Sequence, residues 1–235
     1  AGGRVSVNGI RVTAPGLRVH PGKDILRLDG RILKRKESLY VALHKPPGVP
    51  TTRRDERGRK TVFDILPPPL RGLIAAGRLD LETGGLLLLT NDTRFGDLVT
   101  SPASRIPKTY HAGLDRPLGE KDRAALESGM RLADGTPLRP ADVEVPGRDA
   151  RTVVITVTEG KNRQVRRMFD TLGYAVLSLK RVRVGSVLLG DLPPGAVRRL
   201  SPEEVRALLH RAGRQPRSRQ GITADRNGRK RQWRP

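Results

Sequence analysis

A short apolar run at Gly85–Leu89 constrains the fold more than any other feature of the sequence. It is bounded by glycine on one side and by Thr-Asn-Asp on the other, which is typical of a buried β-strand. Asn91 and Asp92 can then cap a helix over Arg94–Val99. The segment predicts a buried strand that is followed directly by a helix.

The rest of the chain between residues 39 and 211 alternates predicted strands and helices. Strands are predicted at Leu39–Leu43, around Tyr110–Ala112, at Thr152–Thr158 and within Val176–Leu189. Helices are predicted at Glu120–Leu126, at Asn162–Leu172 and after Ser201. Because many strands are joined by short turns, the pattern favours an α+β domain, with helices packed on a mixed, largely antiparallel sheet.

The segments on either side of this domain differ from it in composition. Residues 1–33 contain short strand and turn patterns, such as the Asn-Gly turn after Val5–Val7, and too few apolar residues for a core of their own. Residues 34–38 are a charged linker to the predicted catalytic domain, residues 39–211. Residues 212–235 form an Arg-rich tail that is expected to be disordered in isolation.

The charge balance points to a polyanionic partner. The chain has 46 Lys and Arg against 24 Asp and Glu, a net charge of +22. Nucleic acid is the first candidate partner and an anionic membrane surface the second. No run approaches the roughly 18 apolar residues of a membrane helix. The chain has no Cys, which excludes disulfides and thiolate nucleophiles and fits a cytoplasmic protein, and its four His residues lack metal-ligand spacing.

The string Gly77–Asp92 is the strongest functional signal. It places Asp80 close to Arg78 in a glycine-rich turn before the buried strand. A surface turn with a local Asp–Arg pair would also explain this arrangement. The complete string, however, closely resembles the signature of the RsuA/RluB family of bacterial ribosomal RNA pseudouridine synthases, most of all its RluB branch. In that family the Asp of this turn is catalytic, which implies that role for Asp80.

Further segments resemble the same family in the same order. They are Val41–Gly48, with His44 where the family usually has Asn, Lys108–Tyr110, Glu159–Phe169, Leu179–Gly185 and Leu192–Gly195. The resemblance covers residues 39–205 and implies the pseudouridine synthase fold. Residues 3–33 resemble the second half of the small RNA-binding domain shared with ribosomal protein S-four, which implies a truncated form of that domain.

The resemblance also implies a reaction. The uracil is detached from its sugar, turned and rejoined through carbon, so that no metal or other cofactor is required. Asp80 starts the reaction by attacking a carbon or by drawing off a sugar proton, and the sequence leaves both routes open. Arg166 is assigned as the cation beside Asp80, with Arg163 and then Arg167 as alternatives. Tyr110 is expected to lie against a flipped-out uracil.

A set of basic residues is predicted to contact RNA. Its members are Lys45, Arg78, Lys108, Lys161, Arg163 and Arg167. For Lys45 and Arg78 a role in holding their own loops fits the sequence equally well. Positions 163, 166 and 167 would share one face of the predicted helix, which is either a phosphate-binding face or a solvated one. The tail either binds ribosomal RNA non-specifically or solubilises the chain.

These observations predict a cytoplasmic, monomeric enzyme that isomerises a specific uridine in ribosomal RNA, free or within a precursor subunit. The large subunit is preferred because of the Arg-rich tail. Three alternatives remain: a non-catalytic RNA-binding assembly protein, an RNA glycosylase, and a synthase that acts on transfer RNA. The combination of Asp80, Tyr110 and Arg166 argues against the first.

Overall fold

The computed structural model describes residues 3–14, 16–20, 22–33 and 37–213. It divides the chain into a short N-terminal unit that ends at Ser38 and a larger unit that begins at Leu39. Residues 34–36 of the predicted linker and residues 214–235 of the predicted tail lie outside the described residues. The assignment of the segments to functional domains stays a prediction.

The N-terminal unit is an antiparallel sheet of short strands in the order β2-β1-β3-β4. The strands are β1 (Val5–Val7), β2 (Ile10–Val12), β3 (Leu26–Leu28) and β4 (Arg31–Ile32). Asn8 and Gly9 both have positive φ, the backbone of a two-residue hairpin turn, so the predicted Asn-Gly turn is confirmed. None of the described residues of this unit is buried, which agrees with the expectation that it lacks a core of its own.

Nine strands of the larger unit, counted over the described residues, form one sheet. They are β5 (Tyr40–Lys45), β6 (Ile74–Ala75), β7 (Gly84–Thr90), β8 (Lys108–Leu114), β9 (Asp142–Glu144), β10 (Thr152–Val157), β11 (Val176–Val184), β12 (Val187–Leu188) and β13 (Val197–Arg199). The main order is β13-β5-β7-β11-β8-β10-β9, with β6 on β7 and β12 on β11. Only the β7–β11 pair is parallel among these strands. The predicted mixed, largely antiparallel sheet is confirmed.

Helices pack on this sheet as the α+β prediction requires. They are α1 (Thr93–Thr100), α2 (Glu120–Ser128), α3 (Gln164–Thr171) and α4 (Pro202–Gly213). The side chain of Asp92 caps α1 by accepting from the backbone N–H groups of Arg94 and Phe95. Within the part of the chain that the structure describes, no helix is long and apolar enough to cross a membrane.

The packed core confirms the predicted buried strand. All residues of β7 are buried. Phe95 of α1 and Leu208 of α4 belong to one apolar cluster with Leu86 and Leu88 of that strand. Phe169 of α3 packs in a second cluster with residues of β8 and β10. Phe95 and Phe169 are therefore core residues.

Candidate active site

Asp80 lies in the loop between β6 and β7, and groups from elsewhere in the chain hold this loop. The hydroxyl of Thr51 donates to the carbonyl oxygen of Leu79 at 2.9 Å. The ammonium group of Lys45 donates to the carbonyl oxygen of Leu81 at 3.2 Å. Because the residues before and after Asp80 are both tethered, the carboxylate is held in a defined position.

Lys45 is completely buried behind the loop. Its Nζ also donates to the carbonyl oxygens of Pro46 at 2.9 Å and Val49 at 2.7 Å. Burial lowers the pKa of Lys45 to about 8, and the charge of Asp80 opposes that shift. This geometry fits the alternative that Lys45 holds its own loop. The predicted RNA contact does not fit, because a buried ammonium group cannot reach a phosphate without leaving these carbonyl groups.

A cavity of about 360 Å³ opens beside Asp80. The polar residues around it include most of the predicted site residues: Arg78, Asp80, Lys108, Tyr110, Lys161 and Arg163. Its apolar wall includes Leu179, Val157 and Val165. The predicted catalytic carboxylate and the predicted tyrosine thus share one cavity.

The pairing of β8 with β11 explains which side chains reach the cavity. Tyr110 lies directly opposite Arg181 in this antiparallel pair, so both side chains point to the same face of the sheet. Leu179, two residues before Arg181, points to that face as well. A register shift follows Arg181, and Arg183 pairs with Thr109 on the other face. The register shift therefore places Arg181 and Arg183 of β11 on opposite faces of the sheet.

The three arginines of the predicted basic helix face lie in different environments. Helix α3 begins at Gln164, and Arg163 precedes it with a left-handed backbone, φ 47°. Arg163 is exposed and lines the cavity. Arg167 pairs with Asp134 at 2.6 Å. The prediction that 163, 166 and 167 share one helical face is wrong, because the helix begins after the first of them.

Arg166 is attached to the backbone of the Asp80 loop. Its guanidinium group donates to the carbonyl oxygens of Val176 at 3.0 Å and Glu82 at 3.3 Å. It lies 4.0 Å from the Glu82 carboxylate, whereas no ion pair with Asp80 is formed by any described residue. The buried Nε of Arg166 has no partner among the described residues. Arg166 therefore supports the loop, and its predicted direct contact with Asp80 stays a prediction.

The remaining predicted RNA-binding residues differ in accessibility. Lys108 is 9% exposed, and its Nζ donates to the carbonyl oxygen of Ile106 at 3.1 Å. Burial, and then the positive charge of Arg181, lower the pKa of Lys108 to about 8. Lys161 donates to the carbonyl oxygen of Pro137 and is partly exposed. Arg78 is exposed beside the cavity.

Arg181, for which the sequence predicts no role, also lines the cavity. Arg181 is 5% exposed, and its Nε donates to the carbonyl oxygen of Leu86 at 2.8 Å. The signal available in the sequence is its position two residues after Leu179 in a strand, which places both side chains on one face. Across the described parts of the chain, no group of three or more His, Asp and Glu residues could hold a metal ion.

His44 and His111 lie away from this cavity. The Nδ1 of His44 is 2.6 Å from the carbonyl oxygen of Leu192. His111 is exposed on the opposite face of β8. His44 thus has a structural contact, and His111 is solvated.

Comparisons with known proteins agree with the fold and the cavity. Residues 39–171 match the family model described as RNA pseudouridylate synthase. The chain is 38% identical to the ribosomal large subunit pseudouridine synthase B of Bacillus subtilis (strain 168), over 88% of this chain and 85% of that protein. It is 37% identical to an uncharacterized RNA pseudouridine synthase of Mycobacterium tuberculosis (strain ATCC 25618 / H37Rv), over 90% and 85% of the two chains.

A solved structure extends the likeness to three dimensions. The crystal structure of a pseudouridylate synthase matches with a TM-score of 0.69 and 34% sequence identity, over 88% of this chain and 89% of that one. The predicted pseudouridine synthase fold is confirmed by this match. The chain therefore belongs to the RNA pseudouridylate synthase family.

Proposed function

We propose that this protein isomerises one uridine of large-subunit ribosomal RNA to pseudouridine, with Asp80 as the catalytic carboxylate. The observation that carries the proposal is that Asp80, Tyr110 and Leu179 line one cavity in a member of the RNA pseudouridylate synthase family. The choice of large-subunit RNA rests on the name of the Bacillus subtilis relative, and the net charge of +22 supports a polyanionic substrate.

Binding begins at the basic residues around the cavity. Arg78 and Arg163 are exposed there and hold phosphates of the RNA strand. The target uridine leaves its stack and enters the cavity, where Tyr110 and Leu179 contact the base. Stacking on the aromatic ring contributes roughly 1–3 kcal/mol and offsets part of the cost of unstacking.

The chemistry takes place at the sugar and the base together. The bond between C1′ and N1 of the uracil breaks, the base turns, and a bond forms between C1′ and C5. The C5 proton then leaves and N1 gains a proton, and Tyr110 assists this transfer. Asp80 begins the sequence by attack or by removal of a sugar proton. Lys45 lies behind the Asp80 loop and holds it through the carbonyl oxygen of Leu81.

Arg166 fixes the loop through the carbonyl oxygen of Glu82 and is the cation nearest in function to Asp80. Residues 1–33, as part of an S-four-like domain, and residues 212–235 add sequence-independent RNA contacts. The enzyme works as a monomer in the cytoplasm, without a cofactor, on free RNA or a precursor subunit.

The deciding experiment uses ribosomal RNA from cells that lack the enzyme. The native protein, Asp80→Asn and the control Asp142→Asn are incubated with this RNA, and pseudouridine is mapped by carbodiimide-dependent primer-extension stops. Asp142 is exposed on the opposite face of the sheet. The native protein and the control should give one new stop. Asp80→Asn keeps the size of the side chain but loses its charge, so the rate should fall at least about a thousandfold while RNA binding survives.

Other outcomes would select an alternative function. Release of free uracil without pseudouridine would identify a glycosylase. A primer-extension stop in transfer RNA alone would identify transfer RNA as the substrate. No stop with any of the proteins, on free RNA or on subunits that they still bind, would contradict catalysis and leave an RNA-binding assembly factor.

A further inference from the structure

Arg181 has unused hydrogen-bonding capacity inside the cavity. Its side chain is 5% exposed, and its Nε is bonded to the carbonyl oxygen of Leu86. The two terminal Nη groups donate to none of the described residues, and neither is among the fully buried atoms that lack a partner, so both are open to the cavity. Donors that face a substrate cavity in this way are available to the acceptor atoms of a ligand.

The surroundings of Arg181 narrow the chemistry of that ligand. Arg181 lies directly opposite Tyr110, on the cavity face of the sheet. Leu179, Val157 and Val165 line the same cavity. An aromatic ring and aliphatic side chains suit a flat base better than a phosphate. The exposed arginines outside this wall, described above, suit the phosphates.

Arg181 lies close to a second buried cation. Burial, and then the positive charge of Arg181, lower the pKa of Lys108, which lines the same cavity. The buried acid of the cavity, Glu159, is already bonded to Gln164 and to the backbone of Arg139. The two cations together favour an oxygen acceptor on the substrate and disfavour an amino group.

We propose that the Nη groups of Arg181 donate hydrogen bonds to the C4 carbonyl oxygen of the flipped uracil and thereby select uracil over cytosine. This inference rests on the proposed function, and it names the group that recognises the base. Uracil carries a carbonyl oxygen at C4 where cytosine carries an amino group. An arginine side chain has hydrogen-bond donors only. It can therefore donate to the C4 oxygen of uracil, whereas the amino group of cytosine leaves it without an acceptor at that position. Arg181 is thus a specificity-determining residue that touches the substrate.

The test combines an enzyme variant with an altered substrate. Arg181→Gln is compared with Arg183→Gln, the same substitution two residues later, where the side chain points to the opposite face and its Nε donates to the carbonyl oxygen of Gly185. Single-turnover rates are measured on a synthetic RNA with uridine, 2-thiouridine or 4-thiouridine at the mapped target. Sulfur accepts hydrogen bonds poorly, so 4-thiouridine should slow the native enzyme about ten- to a hundredfold. The control is 2-thiouridine, because cytosine carries an oxygen at C2 as well, and coupling of Arg181 to this position instead would contradict the selection of uracil.

The expected result is a coupling between the two changes. Arg181→Gln should be slower than the native enzyme on uridine by a similar factor, and 4-thiouridine should then add less than about threefold. Arg183→Gln should behave as the native enzyme does. If Arg181→Gln does not fold, as judged by circular dichroism, Arg181→Lys keeps the charge, removes the forked donors and takes its place.

Several results would overturn the inference. If Arg181→Gln reacts at the native rate, or if 4-thiouridine slows this variant as much as it slows the native enzyme, Arg181 does not donate to the C4 carbonyl oxygen. A loss of RNA affinity and of its salt dependence in Arg181→Gln, without coupling to sulfur, would assign Arg181 to a phosphate. A native enzyme that is inactive on every RNA would refute the proposed function and this inference with it, whereas the other results leave the proposed function standing.

Discussion

The two faces of the sheet at β8, β10 and β11 carry similar residue types in different environments. On one face Lys108 and Arg181 are buried beside the cavity that holds Asp80. On the other face a second concave surface of about 600 Å³ carries His111, Lys180 and several further charged residues. The remaining charged residues of that surface are Asp142, Glu144, Arg183 and Asp191.

The difference shows that burial, more than residue type, marks the functional face. On the second surface acids and bases are mixed and Lys180 is exposed, so water solvates the charges. On the first face cations are desolvated and partly unpaired. Pairs of matched substitutions that differ in burial or local space test this contrast.

The largest expected effect is at Gly85, where β7 meets β11. Gly85 has φ 101°, and a Cβ there would lie 2.2 Å from the carbonyl oxygen of Arg181. Gly85→Ala should therefore lower the free energy of unfolding by at least about 3 kcal/mol. At Gly113 a Cβ would meet the rotatable hydroxyl of Ser178, at 2.6 Å. Gly113→Ala should change stability by about 1 kcal/mol or less. Urea denaturation of both variants measures this difference, and equal losses would contradict it.

A smaller effect is expected at the arginines of α3. Arg166 is largely buried and donates to two carbonyl oxygens, one of them in the Asp80 loop. Arg166→Gln should reduce the single-turnover rate about ten- to a hundredfold, because charge-assisted bonds to the loop are lost. Arg167 makes a solvent-exposed pair with Asp134, so Arg167→Gln should stay within about twofold of the native rate. Similar rates for the two variants would contradict the conclusion that Arg166, and not Arg167, supports the Asp80 loop.

The smallest effect concerns pH, and its sign follows from the buried lysines. The pKa of Lys108 falls from 10.5 to about 8 in the folded protein, so the unfolded chain binds more protons between these values. Stability therefore rises as pH increases from about 8 toward 10.5. Between pH 7.5 and 9.5 the native protein should gain about 2 kcal/mol more than Lys108→Met does.

The matched control for that measurement is Lys180→Met on the opposite face. Its pH dependence should follow that of the native protein, as determined by urea denaturation at both pH values. Parallel curves for the native protein and Lys108→Met would show that burial does not penalise the charge of Lys108.

The sequence predicts the elements with strong local signals. The apolar strand, the Asp92 cap and the Asn-Gly turn depend on neighbouring residues, and all three appear in the structure. The short strands β6, β9 and β13 carry no such signal, because pairing with longer strands defines them. The prediction that three arginines share one helical face is wrong, because Arg163 has a left-handed backbone and precedes α3.

The site is predictable where a motif marks it and unpredictable where tertiary packing decides. Asp80 and Tyr110 are found from their motifs and line one cavity. The burial of Lys45 depends on three carbonyl groups that converge on its ammonium group. The cavity position of Arg181 depends on its pairing with β7 and β8. Neither the burial of Lys45 nor the cavity position of Arg181 can be predicted from residue spacing.

The tethers of the Asp80 loop have a consequence for the order of folding. Lys45 lies 36 residues from its partner Leu81, and Arg166 lies 84 residues from Glu82. Strand β11, the parallel neighbour of β7, follows at Val176–Val184. Contacts between residues so far apart in the chain close long loops, which costs conformational entropy. These contacts therefore form late and slow folding. A chain that is still being synthesised should therefore be unable to modify RNA until β11 has left the ribosome.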